Sequence, residues 1–375
     1  MTPKSERDLA VIVADAKGPL AIRGGGTRPI GKPVDGDALT LSGLSGIELY
    51  EPGALTLVAK SGTPLAEIEA TLAAQDQRLA FEPMDHRALL ATMGTPTIGG
   101  VVAANVSGPR RVQSGACRDY LLGVRFVDGT GRVIKNGGRV MKNVTGYDLA
   151  KLMAGSFGTL GVLSQVSLKV LPQVETTVSL MIQGLSDACA ISALSAALGS
   201  PFEVTGAAHS RDDTGSPITL IRLEGFENSV AYRSGRLQDL LKTYGDVEVL
   251  SEPEKVAKQW RKIRDVEAFK GDPRDVWRLS VKPSDAPGLV ARMPVGCDVV
   301  YDWGGGLIWA ACEPDTNLRA GLGNFAGHAT LIRASAATRG KIPVFHPEPA
   351  PIAAITAGLR AKFDPRGILN TGLMG

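Results

Sequence analysis

Apolar residues recur at Leu9, Ile12, Val13 and Ala16, and that three-to-four spacing predicts a helix from Glu6 to Ala16. Leu20-Ala21-Ile22 follows as a short strand running into glycines. Leu55-Thr56-Leu57-Val58-Ala59 reads as another strand. Behind it, Gly62-Thr63-Pro64 predicts a helix start, with Thr63 as cap, Pro64 at the first helical position, and Leu65, Ile68 and Leu72 as the inward stripe. Val124-Arg125-Phe126-Val127 and Arg132-Val133-Ile134 flank Asp128-Gly129-Thr130-Gly131, the signature of a β-hairpin. The alternating run from Val162 to Val170 ends before Pro172 and reads as a strand closing a domain.

From Thr176 the pattern changes. Alternating runs at Thr177 to Ile182, Ile218 to Leu223 and Leu307 to Ala310 are separated by helix-like stretches, among them Leu237 to Thr243 and Glu254 to Arg264. An antiparallel sheet flanked by helices is the simplest arrangement. Pro343, Pro347, Pro349 and Pro351 mark a linker, and Ile352 to Phe363 resumes a helical pattern. The expected organisation is an α+β chain of one domain at 1–172, a second at 173–345, and a C-terminal segment at 346–375 that returns to the first.

Composition narrows the class. The 375 residues hold 41 basic and 38 acidic side chains with no long basic run, which gives nucleic-acid binding little support. No stretch of about 18 apolar residues occurs. The N-terminus has acids and no apolar signal region, so the chain is expected in the cytoplasm. Cys117, Cys189, Cys297 and Cys312 form no C-x-x-C pair, which argues against an iron–sulfur or zinc site and for reduced thiols. The 45 glycines exceed the usual share of about 7 per cent, and they cluster in loops.

Three of those clusters hold the candidate chemistry: Arg23-Gly24-Gly25-Gly26-Thr27, Gly94 to Gly100, and Gly155 to Gly161. Glycine allows positive φ and close approach to a ligand, and free N–H groups in such turns form nests for anions. The first segment is neither a Walker A loop nor G-x-G-x-x-G, because Pro29 stands where the third glycine belongs. The second continues to Asn105 and Gly108 with small side chains throughout, which suits either a planar ring against backbone or tight helix packing. Arg110, Arg111, Gly115 and Asp119 follow and add charge and another turn.

These segments, together with Gly146-Tyr147-Asp148-Leu149 and the tail Phe363-Asp364-Pro365-Arg366-Gly367-Ile368-Leu369-Asn370, resemble the FAD-binding flavoprotein family of vanillyl-alcohol oxidase and D-lactate dehydrogenase. The resemblance implies a two-lobed FAD-binding domain (PCMH type) plus an antiparallel sheet-and-helix cap over the isoalloxazine. It implies FAD contacts from Arg23, Gly24, Gly25, Gly26, Thr27, Gly94, Thr97, Ile98, Gly99, Gly100, Asn105, Gly108, Arg111, Gly115, Gly158, Gly161 and Val162. Thr27 stands where members that attach FAD covalently often have histidine, so the FAD is expected to be non-covalent.

Within the family the chain is most similar to a flavin subunit of bacterial glycolate-oxidising complexes. Its expected partners are therefore a larger homologous FAD subunit and an iron–sulfur subunit, any contact with the inner membrane coming through them. The expected reaction is oxidation of glycolate to glyoxylate. The His-x-Gly-Asp-Gly-Asn-x-His segment of relatives that oxidise 2-hydroxy acids is missing, so no catalytic base is assigned. His328 reads as a structural histidine or a base. Arg278 and Arg333 are candidates for a carboxylate or for surface ion pairs, and Trp303 to Gly306 with Trp309 for a turn over the flavin or a plain aromatic cluster. A self-sufficient oxidoreductase of another small alcohol and a scaffold without FAD stay open.

Overall fold

The helix Glu6–Asp15 forms where the spacing places it: the Ser5 hydroxyl accepts the Asp8 N–H at 3.1 Å, and Leu9 and Val13 are fully buried. The structure is a computed structural model that describes residues 1–139 and 146–374. Its strands in the N-terminal half are β1 (Leu20–Arg23), β2 (Asp37–Thr40), β3 (Ile47–Glu51), β4 (Thr56–Lys60), β5 (Gln77–Arg78), β6 (Leu121–Val127), β7 (Val133–Gly137), β8 (Val162–Lys169) and β9 (Leu171–Pro172). β1 and β2 pair in parallel, β5 pairs with β9, and the others form an antiparallel sheet of order β3-β4-β8-β6-β7. The hairpin β6–β7 lies where the sequence predicts it. β8 is the middle strand of its sheet, buried at six of its eight positions.

The helix Leu65–Ala73 buries Leu65, Ile68 and Leu72 as expected, but Thr63 does not cap it. Thr63 is fully buried, and its hydroxyl lies 2.7 Å from the Lys60 carbonyl, which takes its hydrogen, and 3.0 Å from the Gly46 N–H, which it accepts. A buried hydroxyl takes its nearest partners, and here those are loop groups rather than the helix amides.

Contacts divide the chain into two units: Met1–Ser107, Ala116–Gln173 and Pro347–Gly375 form one, Gly108–Gly115 and Val174–His346 the other. In the first unit, Ile368 and Leu369 of the tail join Leu9, Val13, Leu20, Leu39, Val127 and Val162 in one core. Burial of two such side chains contributes about 4 kcal/mol, so the tail is part of this unit's stability. Gly108–Gly115 falls in the second unit, although the sequence expectation assigned it to the first domain.

The second unit is built on an eight-stranded antiparallel sheet of β10 (Thr176–Gln183), β11 (Gly206–Arg211), β12 (Pro217–Gly225), β13 (Val247–Leu250), β14 (Asp275–Val281), β15 (Asp298–Asp302), β16 (Leu307–Cys312) and β17 (Gly327–Arg333), in the order β13-β10-β12-β11-β15-β16-β14-β17. Strand alternation sorts its side chains. Leu180, Ile182, Ile221, Leu223, Trp277, Leu279, Tyr301, Ile308, Ala310 and Leu331 face a core shared with the helices Asp187–Leu198 and Glu227–Leu241. The intervening residues, including Arg222, Glu224, Arg278, Asp302, Trp309 and His328, share the opposite face.

The expectation of four reduced thiols is corrected here. Cys297 and Cys312 are joined, with Cα atoms 4.5 Å apart, whereas Cys117 and Cys189 are free. The register of β15 against β16 pairs Asp298 with Ala311, which sets the two cysteines opposite each other, and spacing along the chain carries no sign of that.

Candidate functional site

The three glycine segments meet in the first unit, backbone against backbone. A Cβ added at Gly25 would lie 1.5 Å from the Thr95 carbonyl oxygen, one at Gly94 1.8 Å from that of Gly25, and one at Gly24 2.4 Å from Thr97 Oγ1. Only glycine fits such approaches, so the first two segments close on each other. The second joins the third through the Gly155 N–H to the Val102 carbonyl (3.2 Å) and the Phe157 N–H to the Ala103 carbonyl (2.9 Å). Asn370 completes the ring: its Oδ1 accepts the Ile22 N–H at 2.7 Å and its Nδ2 donates to the Phe157 carbonyl at 2.8 Å. Asn370 is buried with φ of 45°, a region Asn occupies more readily than most residues.

Within this ring the expected residues differ in what they offer. Arg23 and Gly26 are exposed, and Gly26 has φ of 70° with open space around it. Thr27 is buried, its carbonyl accepting the Thr92 hydroxyl at 3.2 Å. Thr97 caps the helix Ile98–Ala103, accepting the Gly100 N–H at 3.4 Å. The amides of Ile98 and Gly99 donate to the Thr63 and Ser61 carbonyls, so both are already engaged within the protein. Gly158 has φ of 73° and packs against Asn370 and Ile22. At Gly161 a Cβ would sit 2.5 Å from the Phe126 ring, so that glycine serves packing, and the Val162 side chain belongs to the core. Asn105 turns the chain with φ of 48° while its Oδ1 accepts the Arg118 N–H at 3.0 Å.

Two residues beyond the expected set stand beside this ring. Arg28 Nε donates to His86 Nδ1 at 3.3 Å, but its Nη2 is buried with no hydrogen-bond partner. Burial lowers its pKa to about 10, against the opposing pull of Asp85. Ser61 Oγ is likewise buried without a partner, and it lies beside Gly99, as the Arg28 guanidinium lies beside Gly100. Unmet donors next to a glycine-lined turn fit an anionic, phosphate-bearing group. A basic residue directly after Gly-Gly-Gly-Thr is the signal that marks Arg28 in the sequence; nothing marks Ser61.

Gly108, Arg111 and Gly115 lie in the second unit, with residues from the polar face of its sheet. The Gly108 carbonyl accepts the Trp303 indole N–H at 3.0 Å, and Gly115, with φ of 92°, ends the short helix Arg111–Ser114. The Arg111 guanidinium stands 4.4 Å from the Trp303 ring centre, and that of Arg278 5.2 Å from the same ring and 5.9 Å from Trp309. Trp309 is the cross-strand partner of Arg278, and both tryptophans are buried. Trp303 has φ of 54°, and its N–H donates to Asp302 Oδ1 at 2.7 Å.

Burial, then the neighbouring Arg111, lowers the Arg278 pKa to about 10, while Asp302 opposes. No hydrogen bond or salt bridge to the described residues holds the Arg278 guanidinium. His328, solvent-exposed on β17 and two residues from the Arg278 partner Thr330, has its pKa pushed below the usual histidine value by partial desolvation first, then by Arg278, His346 and Arg111. It is therefore neutral at pH 7. Two cations on aromatic walls beside a neutral imidazole make a site for a small anion that must also give up a proton.

Arg333 is not part of this cluster. Its Nε and Nη1 donate to the carbonyls of Arg274 (3.1 Å) and Phe269 (2.8 Å), so it ties loops together instead.

Comparison with known proteins gives one family, two relatives and two solved structures. Residues 1–137 match the FAD binding domain family. Glycolate oxidase subunit GlcE of Escherichia coli K12 is 37% identical over 361 residues, 96% of this chain and 93% of that one. D-lactate dehydrogenase of Anaerostipes hadrus is 33% identical over 184 residues, 48% of this chain and 37% of that one. Among solved structures, alkyldihydroxyacetonephosphate synthase superposes with a TM-score of 0.71 at 16% identity, covering 99% of this chain and 76% of that one. p-Cresol methylhydroxylase does so with 0.70 at 13%, covering 100% and 88%; both likenesses concern the fold.

Proposed function

This chain belongs to the FAD-binding flavoprotein family of the glycolate oxidase subunits and D-lactate dehydrogenases, and on that premise we propose that it is a flavin subunit of a glycolate-oxidising complex. The observation that carries the substrate assignment is the placement of Arg111 and Arg278 against one indole, Trp303. Paired guanidinium groups on apolar walls bind a carboxylate with several N–H donors and little competing water. His328, near those cations, takes the hydroxyl proton of the bound acid, and its positive neighbours stabilise the alkoxide left behind. FAD, when bound, would supply the two-electron acceptor that oxidation of glycolate to glyoxylate requires. In the first unit, Gly24 to Gly26, Thr97, Gly100, Ser61 and the Arg28 Nη2 would hold FAD without a covalent bond, Thr27 offering no imidazole for attachment.

The proposed partners are a larger homologous flavin subunit and an iron–sulfur subunit, reached in a complex on the cytoplasmic side. Two E. coli and Bacillus subtilis relatives are each named a subunit of glycolate oxidase, which supports an assembly. No helix among the described residues is long and apolar enough to cross a membrane.

The test is an absorption spectrum of the purified chain before and after anaerobic glycolate. A flavin spectrum, with the flavin freed into solution by acid, supports non-covalent FAD, and bleaching by glycolate supports turnover in this chain. A colourless protein overturns the flavin reading. A flavin left oxidised, with no heat of glycolate binding by calorimetry, overturns the substrate assignment.

A further inference from the structure

We propose that Arg110 and Glu224 are a positioning pair that aims Arg111 into the carboxylate cluster, an inference that rests on the reading of that cluster given above. Arg110 Nε donates to Glu224 Oε2 at 2.9 Å and its Nη2 to Oε1 at 2.7 Å, and both residues are buried. Glu224, on β12, is itself fixed. Its carbonyl accepts Arg233 Nη2 at 2.7 Å, and Arg222 Nε stands 4.0 Å from its carboxylate. Arg222 in turn donates to the Thr205 carbonyl at 3.1 Å and stacks on Trp260 at 4.6 Å.

The segment Gly108–Gly115 is thus tied down by the Gly108 carbonyl on the Trp303 indole and by the Arg110 fork on Glu224. Directly after them begins the helix Arg111–Ser114, where successive side chains diverge by about 100°. Locking Arg110 toward Glu224 therefore fixes the rotation of that turn and turns Arg111 onto Trp303. A bidentate carboxylate–guanidinium pair suits this task, because its two parallel bonds set an orientation as well as a distance. Its contribution to stability is a separate matter: apolar replacement of a buried pair is often neutral.

That separation gives the experiment. The FAD-loaded chain carrying Arg110→Met together with Glu224→Leu is expected to keep its flavin content and melting temperature, while its glycolate Kd by calorimetry rises about tenfold. Arg111→Met is expected to raise Kd to a similar degree, and adding it to the double variant adds little, since both routes remove the same contact. The pair has no positioning role if the double variant binds glycolate as tightly as the parent while Arg111→Met does not. An unchanged Kd in Arg111→Met alone instead fails the cluster reading, and the positioning role with it. Glu224→Gln keeps the shape of the side chain and guards against misfolding of the double variant. It is expected to raise Kd about threefold, and an unchanged value counts against the pair.

Discussion

The ring of glycine segments in the first unit and the Arg–Trp cluster in the second are built on opposite principles. In the ring the chemistry belongs to the backbone: Gly24, Gly25 and Gly94 are there because nothing larger lets the chains approach, and the donors are amides, Thr97 and the Arg28 fork. In the cluster the chemistry belongs to side chains drawn from positions 111 to 328, held at one face of a sheet by register. A site made of backbone breaks as a whole when one atom is added. A site made of side chains loses its parts one at a time.

The largest effect should therefore come from adding a methyl group to the ring. Gly25→Ala forces the Thr95 carbonyl away and is expected to cost about 3 kcal/mol and most of the flavin, read as a lower melting temperature and a lower flavin-to-protein absorbance ratio. In the cluster, Arg278→Met should leave flavin content and melting temperature near the parent while glycolate Kd rises about thirtyfold, the loss of a charged hydrogen bond of about 2 kcal/mol. Equal loss of flavin in both variants would erase the contrast between the two sites.

A smaller effect is expected from Asn370→Ala, which removes the two side-chain bonds joining the first and third segments. Each is worth about 1 kcal/mol, so melting temperature should fall by several degrees with partial loss of flavin. The smallest sharpens the cluster by pH. Because desolvation first, and then Arg278, His346 and Arg111, hold the His328 pKa down, the imidazole charges only as pH falls below its ordinary range. Anion affinity should rise there as one more cation appears. Turnover should fall as the proton acceptor is filled. The same lowered pKa makes the folded form bind its proton less readily than the unfolded chain, so His328 withdraws stability as pH drops through the unfolded value. His328→Asn should flatten the pH dependence of glycolate Kd in titrations between about pH 5 and pH 8.

The ring was legible because glycine acts where it stands. The three segments and their order are present along the chain, as are the helix Glu6–Asp15 and the hairpin at Asp128 to Gly131. Arg278 and Arg333 show where legibility stops. Both were read as candidate carboxylate ligands, and both lie on neighbouring strands of one sheet, yet one stacks on indoles and the other is consumed by loop carbonyls. The capping role expected of Thr63 failed for a related reason, since its partners, Lys60 and Gly46, were chosen by burial.

By itself, then, the sequence determined what is local: periodicity, turn chemistry, and the places where only glycine can stand. Tertiary structure alone decided what depends on register and on long-range partners. It set Cys297 opposite Cys312, drew Asn370 into the ring of glycine segments, and moved Gly108–Gly115 into the second unit, where Glu224 is more than a hundred residues away. The physical reason is that a backbone preference is settled within a few residues, whereas the partner of a side chain is settled by whichever strands the cores bring together.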